Sequence, residues 1–214
     1  MITLLLAAAA LHAPFATPQT IELIPTDDVW VYPRAANQDS DEYLRVWGGG
    51  DVSVASDAVG SEDFGYAFLK FGVGDVPKGK TLKTAVLVLT HIPEPAFTLD
   101  AAKAYPLEVR PMPNGFGEKT WDYAQLSKFM PDGGKDAAFG KGAPEKLETD
   151  KEFPISIDLL KGPGNFAKYL EAAQKSGPMA LALTSAMSPD DGIYKFYSKD
   201  GPKAFRPVLR LTFE

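Results

Sequence analysis

The sequence predicts an all-β fold: an antiparallel two-sheet β-sandwich, or jelly roll, with one short helix near residues 165–176. Three observations lead there. From Ile21 onward, short apolar or alternating runs follow one another along the chain. The chain holds 19 Gly and 18 Pro, spread along its length, which puts a turn between one run and the next. Only one segment repeats its apolar residues at helical spacing. At 214 residues the chain suits one sizeable core and is short for two, so residues 21–214 read as a single domain.

The elements follow in order. Val29-Trp30-Val31-Tyr32 is apolar on both faces, as a strand between two layers would be. Tyr43-Leu44-Arg45-Val46-Trp47 alternates, with Leu44 and Val46 on one face and Tyr43, Arg45 and Trp47 on the other, and the run Gly48-Gly49-Gly50 ends it. Gly65 to Phe71 is a further strand, and Thr84 to Thr90 (TAVLVLT) is the most strand-like run of all, suited to the middle of a sheet. Leu107-Glu108-Val109-Arg110 alternates apolar and charged residues, and Pro111 and Pro113 end it or place it at an edge. Residues 112–150 read as long loop. Phe153, Ile155 and Ile157 then share one strand face. The helix has Asn165 as its cap, a stripe of Phe166, Tyr169, Leu170 and Ala173, and Gly177 at its stop. Met179 to Leu183, Tyr194 to Tyr197 and Pro207 to Phe213 complete about nine strands.

Composition narrows the function. The formal charge is −6, and an acidic chain repels a phosphate backbone, which argues against nucleic acid as a partner. A local basic patch can still take an acidic ligand. The absence of cysteine removes disulfides, thiolate metal sites and Cys nucleophiles. The two histidines, His12 and His91, are too few for a multi-His zinc site, and a His-dependent triad would have to use His91.

Residues Ile2 to Ala13 form an apolar run the length of a signal-peptide core, shorter than the ~20 residues a membrane-spanning helix needs. Pro14 and Pro18 follow. Residues 1–18 therefore read as a signal peptide, although the start lacks a basic segment; the competing reading is a buried N-terminal helix. The protein is expected to be secreted or held in the cell envelope, with no membrane span.

Four stretches carry a family resemblance: Asp28 to Val31 with Tyr43 to Val46; Gly65 to Phe71 followed by Val76-Pro77-Lys78-Gly79 and Ala85 to Leu89; Phe116-Gly117-Glu118-Lys119-Thr120-Trp121; and Tyr197-Ser198-Lys199-Asp200 through Arg206 to Leu211. Their order and spacing over residues 23–214 resemble the extracellular jelly-roll module called the DNRLRE domain, grouped with the family 96 carbohydrate-binding modules. Phe116 stands where that family usually has Trp, and Lys199-Asp200 where it has Arg-Glu. The resemblance implies glycan binding, with acidic polysaccharides such as alginate among the ligands, and it implies that Trp121 plugs an end of the sandwich.

Several residue groups are candidates for the site. Sugar rings pack their apolar faces on Trp and Tyr while their hydroxyls seek polar partners. Tyr43, Arg45 and Trp47 make the sharpest such group, unless their face is the second half of the core with Arg45 at its rim. Lys70 alternates with Phe68 and Tyr66 on a mixed face. Lys195, Lys199, Lys203 and Arg206 lie close in sequence, as an acidic polysaccharide would need, or form an ordinary solvated surface. Asp28, Asp39 and Asp41 are candidate ligands for a structural Ca²⁺, which takes six to eight oxygens. A glycosidase needs two placed carboxylates, and Asp57, Glu62 and Asp63 are conceivable. His91, at the end of the strongest strand, reads as structural.

Three functions remain open on this reading. The first is an exported, non-catalytic binding module for an extracellular or envelope polysaccharide. The second is a structural or adhesive surface protein that contacts other proteins. The third is a small polysaccharide-active enzyme using paired carboxylates. The oligomeric state is not legible.

Overall fold

The computed structural model describes residues 17–32, 41–48 and 64–214. Residues 1–16 of the expected signal peptide, Gly49 and Gly50 of the triple-glycine run, and Asp39, Asp57, Glu62 and Asp63 lie outside the described residues.

The chain folds as the expected two-sheet antiparallel sandwich. In order, its elements are β1 (Gln19–Leu23), β2 (Asp27–Val31), β3 (Tyr43–Val46), β4 (Tyr66–Phe71), β5 (Leu82–His91), α1 (Leu99–Ala104), β6 (Leu107–Pro111), β7 (Gly140–Gly142), β8 (Phe153–Asp158), α2 (Phe166–Ser176), β9 (Met179–Thr184), β10 (Tyr194–Tyr197) and β11 (Val208–Phe213). One sheet has the order β1-β11-β5-β10-β3, with β8 paired to the other edge of β5; the second has the order β2-β4-β9-β6-β7. Among the described residues, no helix is long and apolar enough to cross a membrane.

Strand alternation builds the main core. Ala85, Leu87 and Leu89 of β5 point inward with Ile155 and Ile157 of β8, and meet Leu69 of β4, Leu181 and Leu183 of β9 and Val109 of β6 from the other sheet. Each Leu, Ile or Val among them contributes about 1.5–3 kcal/mol on burial. The outward positions of β5, such as Val88 and Thr90, stay partly exposed.

The second sheet is covered on both faces. Its outer face carries Val29, Phe68, Ala180 and Ala182, roofed by Phe116 and Leu126. This is why Val29, Trp30 and Val31 of β2 are all apolar and buried and why every residue of β9 is buried. The roof comes from the stretch expected to be long loop. It holds two 3-10 turns, Glu118–Thr120 and Tyr123–Lys128, and strand β7 follows it. Trp121 correspondingly lies on the roof, its ring edge-on to Phe68 at 5.6 Å, and plugs no end of the sandwich. Helix α1 was also not anticipated. It has only six residues, too few for a helical stripe, and starts where the Thr98 side chain accepts the N–H of Ala101.

Helix α2 forms as expected. The Asn165 side chain accepts the N–H of Lys168 at 2.9 Å, Phe166, Leu170 and Ala173 face the core, and Gly177 ends the helix at φ 126°.

Candidate functional site

The outward face of β3 and β10 brings together residues from two distant parts of the chain. Tyr43 stands opposite Tyr197, and Arg45 opposite Lys195, while Leu44, Val46, Tyr194 and Phe196 turn inward. The Tyr43 and Tyr197 rings lie 5.4 Å apart, and Tyr197 stacks on Phe205 at 5.0 Å. The Lys195 ammonium sits 4.2 Å from the centre of the Tyr43 ring, a cation–π contact. Burial and the neighbouring Arg45 guanidinium pull Lys195 below its ordinary range, against the carboxylate of Asp41.

Arg45 is held in place from behind. It pairs with Asp41 and lies 4.7 Å over the Trp30 ring. Asp41 also accepts the Trp30 indole N–H and the backbone N–H of Tyr43, both at 3.1 Å. Asp41 is thus engaged by three donors from this edge of the sandwich, and Asp39, the third residue of the expected calcium set, lies outside the described residues.

Trp47 does not join this face. It lies just past β3 in an isolated bridge to Gly65, is 5% exposed, and packs against Trp30 and Tyr32 at 6.0 and 5.0 Å. A Cβ at residue 65 would collide with the indole, so the missing side chain of Gly65 makes the pocket for Trp47. Alternation fails there because both Val46 and Trp47 bury, and the larger gain is the ring in the core.

The other basic candidates separate. Lys70 lies under the roof, donating to the Phe116 carbonyl, 3.7 Å from Asp27 and 4.6 Å from the Phe116 ring centre. Arg206 donates from Nε to the Gly201 carbonyl at 3.1 Å and closes the turn after β10. Lys199 folds inward: its ammonium contacts Glu118 at 2.8 Å and Asp200 at 2.7 Å. Burial alone would lower Lys199; the carboxylates of Asp200 and Glu118 outweigh it and hold the ammonium above its ordinary range.

Lys199 sits in a charged staple between the two sheets. Asp28 on β2 accepts the backbone N–H of Lys199 at 2.6 Å, and the Asp28 N–H donates to Glu118 at 3.1 Å. Asp28 and Glu118 are 3% and 6% exposed. Burial pushes the Asp28 carboxyl up to about 7, against the Lys199 N–H and ammonium, with Glu118 and Asp200 adding to the rise. The carboxylate oxygens of Asp28, Glu118 and Asp200 lie within 4.8 Å of one another, a spacing that could hold a cation. The Lys199 ammonium already supplies the positive charge there, and a metal ion would have to displace it. In the sequence, Asp28 and Lys199 fall in different candidate sites, and Glu118 and Asp200 stand out only within the motif stretches Phe116 to Trp121 and Tyr197 to Asp200.

His91 is structural in its contacts. It is 1% exposed and stacks on Phe153 at 4.8 Å. Its Nδ1–H donates to the Ile92 carbonyl at 2.7 Å, and its Nε2 accepts the backbone N–H of Lys195 at 3.0 Å. Burial pulls its pKa to about 4.

Beside the open face lies a cleft of about 560 Å³, bounded by residues 143–156 and including Glu152, whose carboxylate accepts the Tyr197 hydroxyl at 3.1 Å. Two others lie at α2, of about 370 and 600 Å³. Asp28 and Glu118 line none of the three. No family model matches this chain, and no curated protein is detectably similar to it.

Proposed function

We propose that this protein is an exported, non-catalytic binding module for an extracellular or envelope polysaccharide, gripped through its acidic units on the outward face of β3 and β10. The observation that carries this reading is the cross-strand pair Arg45 and Lys195. Two cations directly opposite each other on a sheet repel, at a cost of some tenths of a kcal/mol, and the single carboxylate of Asp41 beside Arg45 balances only one of the two charges. A carboxylate placed between them relieves that repulsion and gains charge-assisted hydrogen bonds from both. Tyr43 lies next to the pair with the Lys195 ammonium against its ring, and an aromatic ring beside charges suits a sugar, which is apolar on its faces and polar at its rim. The resemblance to DNRLRE modules agrees with glycan binding.

Affinity electrophoresis of the full chain through polygalacturonate and through dextran tests this. Retardation by polygalacturonate that Arg45→Ala and Lys195→Ala each weaken is the expected result. Equal mobility in both gels overturns it.

A further inference from the structure

The open face of the first sheet continues past β10. His91 pairs with Phe196 of β10 on one edge of β5 and with Phe153 of β8 on the other. At this level the strands therefore run β3, β10, β5, β8. On one side of those pairs the outward residues are Arg45, Lys195 and Ile92, with Glu152 next, just before β8; on the other side they are Tyr43, Tyr197, Thr90 and Pro154. At ~4.8 Å per strand, the three gaps make a row about 14 Å long.

Both rows end in the cleft of about 560 Å³, which Glu152 and Pro154 line, with Ser156 beyond them. The size is within the ~300–1,000 Å³ usual for small-molecule sites. Tyr197, at the β10 end, reaches it through the hydrogen bond to Glu152. The two ends differ in charge. Arg45 and Lys195 stand at one end; Glu145, Glu148 and Glu152 outnumber Lys146 and Lys151 at the other. Both lysines are drawn to Glu148.

Building on the polysaccharide reading above, we propose that this cleft is a second sugar subsite that takes a neutral, hydroxyl-bearing ring, so that the ligand is a heteropolysaccharide mixing acidic and neutral units. A sugar hydroxyl both donates and accepts, so it uses carboxylate and ammonium alike. A uronate carboxylate in the same cleft meets an excess of glutamates and is repelled. The polymer then lies across the strands, with an acidic unit at Arg45 and Lys195 and a neutral one several rings away.

The test is calorimetric titration of the full chain with three probes: oligosaccharides of gellan, which mix glucuronate with neutral sugars; oligogalacturonates of similar length, acidic at every unit; and dextran oligosaccharides, which are neutral. The expected order is gellan, then oligogalacturonate, then dextran, with the first two separated by about tenfold, or ~1.4 kcal/mol. Ser156→Trp fills the cleft from an exposed strand position and should weaken gellan binding while leaving oligogalacturonate binding unchanged. Glu145→Arg, at an exposed loop position, keeps the cleft open and should narrow the gap between the two acidic probes. Melting curves confirm that each variant is folded. Oligogalacturonate binding as tightly as gellan, or indifference of gellan binding to both variants, overturns the subsite while leaving the Arg45–Lys195 reading standing. Failure of both acidic probes to bind overturns that reading, and this one with it.

Discussion

The imidazole Nε2 of His91 accepts the backbone N–H of Lys195 at 3.0 Å, so a side chain of β5 supplies the hydrogen bond that starts β10. At the far end of β10 the Asp28 carboxylate does the same for the N–H of Lys199, at 2.6 Å. The strand that carries Lys195 and Tyr197 is therefore anchored at each end by a titratable side chain. The two have opposite pH dependence.

His91 is held neutral. Its pKa falls from 6.5 to about 4 on folding, so the unfolded chain binds the proton first. Its contribution to stability is complete above pH 6.5 and is lost as the pH falls toward 4. His91→Gln, which keeps an acceptor, should remove that loss. Chemical denaturation midpoints between pH 4 and 7 check this: the variant should gain on the wild type as the pH falls, and a difference between the two that stays constant with pH refutes it.

Asp28 runs the other way. Its pKa rises from 3.8 to about 7, so the folded chain holds the proton more tightly. Its contribution is complete below pH 3.8 and is lost as the pH rises through 7. Asp28→Asn copies the protonated carboxyl and should stabilise the protein at pH 8 more than at pH 5. Between pH 4 and 6.5 the two groups oppose each other, so the wild-type profile should be flatter there than that of either variant.

Lys195→Glu separates stability from binding. The variant places opposite charges across β3 and β10, worth roughly 0.2–1 kcal/mol in favour of the fold. It also puts a carboxylate where the ligand's acid would sit. The gain for the fold is offset by the loss of the Lys195 contact with the Tyr43 ring and of its attraction to Asp41, so the melting temperature should change little while retardation by polygalacturonate disappears. Retained retardation would move the binding face elsewhere.

Gly65→Ala should destabilise the protein by about 1–3 kcal/mol, the usual cost of forcing extra atoms into a packed site. The added methyl meets the Trp47 indole, which has Trp30 and Tyr32 around it. Trp47→Ala should cost more, about 3–5 kcal/mol, through the cavity it leaves. Urea unfolding at one pH measures both.

Much of the sandwich was legible because strand alternation is a local property. β5, β8 and α2 could be read from the spacing of their apolar residues and from the Asn165 and Gly177 signals. The roof over the second sheet was not. Phe116, Trp121 and Leu126 have no period in the sequence, and they bury because Phe68 and its neighbours present an apolar outer face to them. The same limit applies to the candidate site. Tyr43 and Arg45 were picked out by alternation, yet Trp47, at the next alternate position, turns into the core where Gly65 leaves room for it.

Alone, the sequence determined the all-β class, the place of most strands and of helix α2, and the absence of thiol chemistry. These depend on residue type and on spacings of two to four residues, which short-range geometry decides. Only the tertiary structure decided that Arg45 faces Lys195, across 150 positions of sequence, and that Lys199 turns away from Lys195 to join Asp28, Glu118 and Asp200. Strand register sets the first. The second follows from the cost of burying carboxylates without a counter-charge, which draws the nearest ammonium inward.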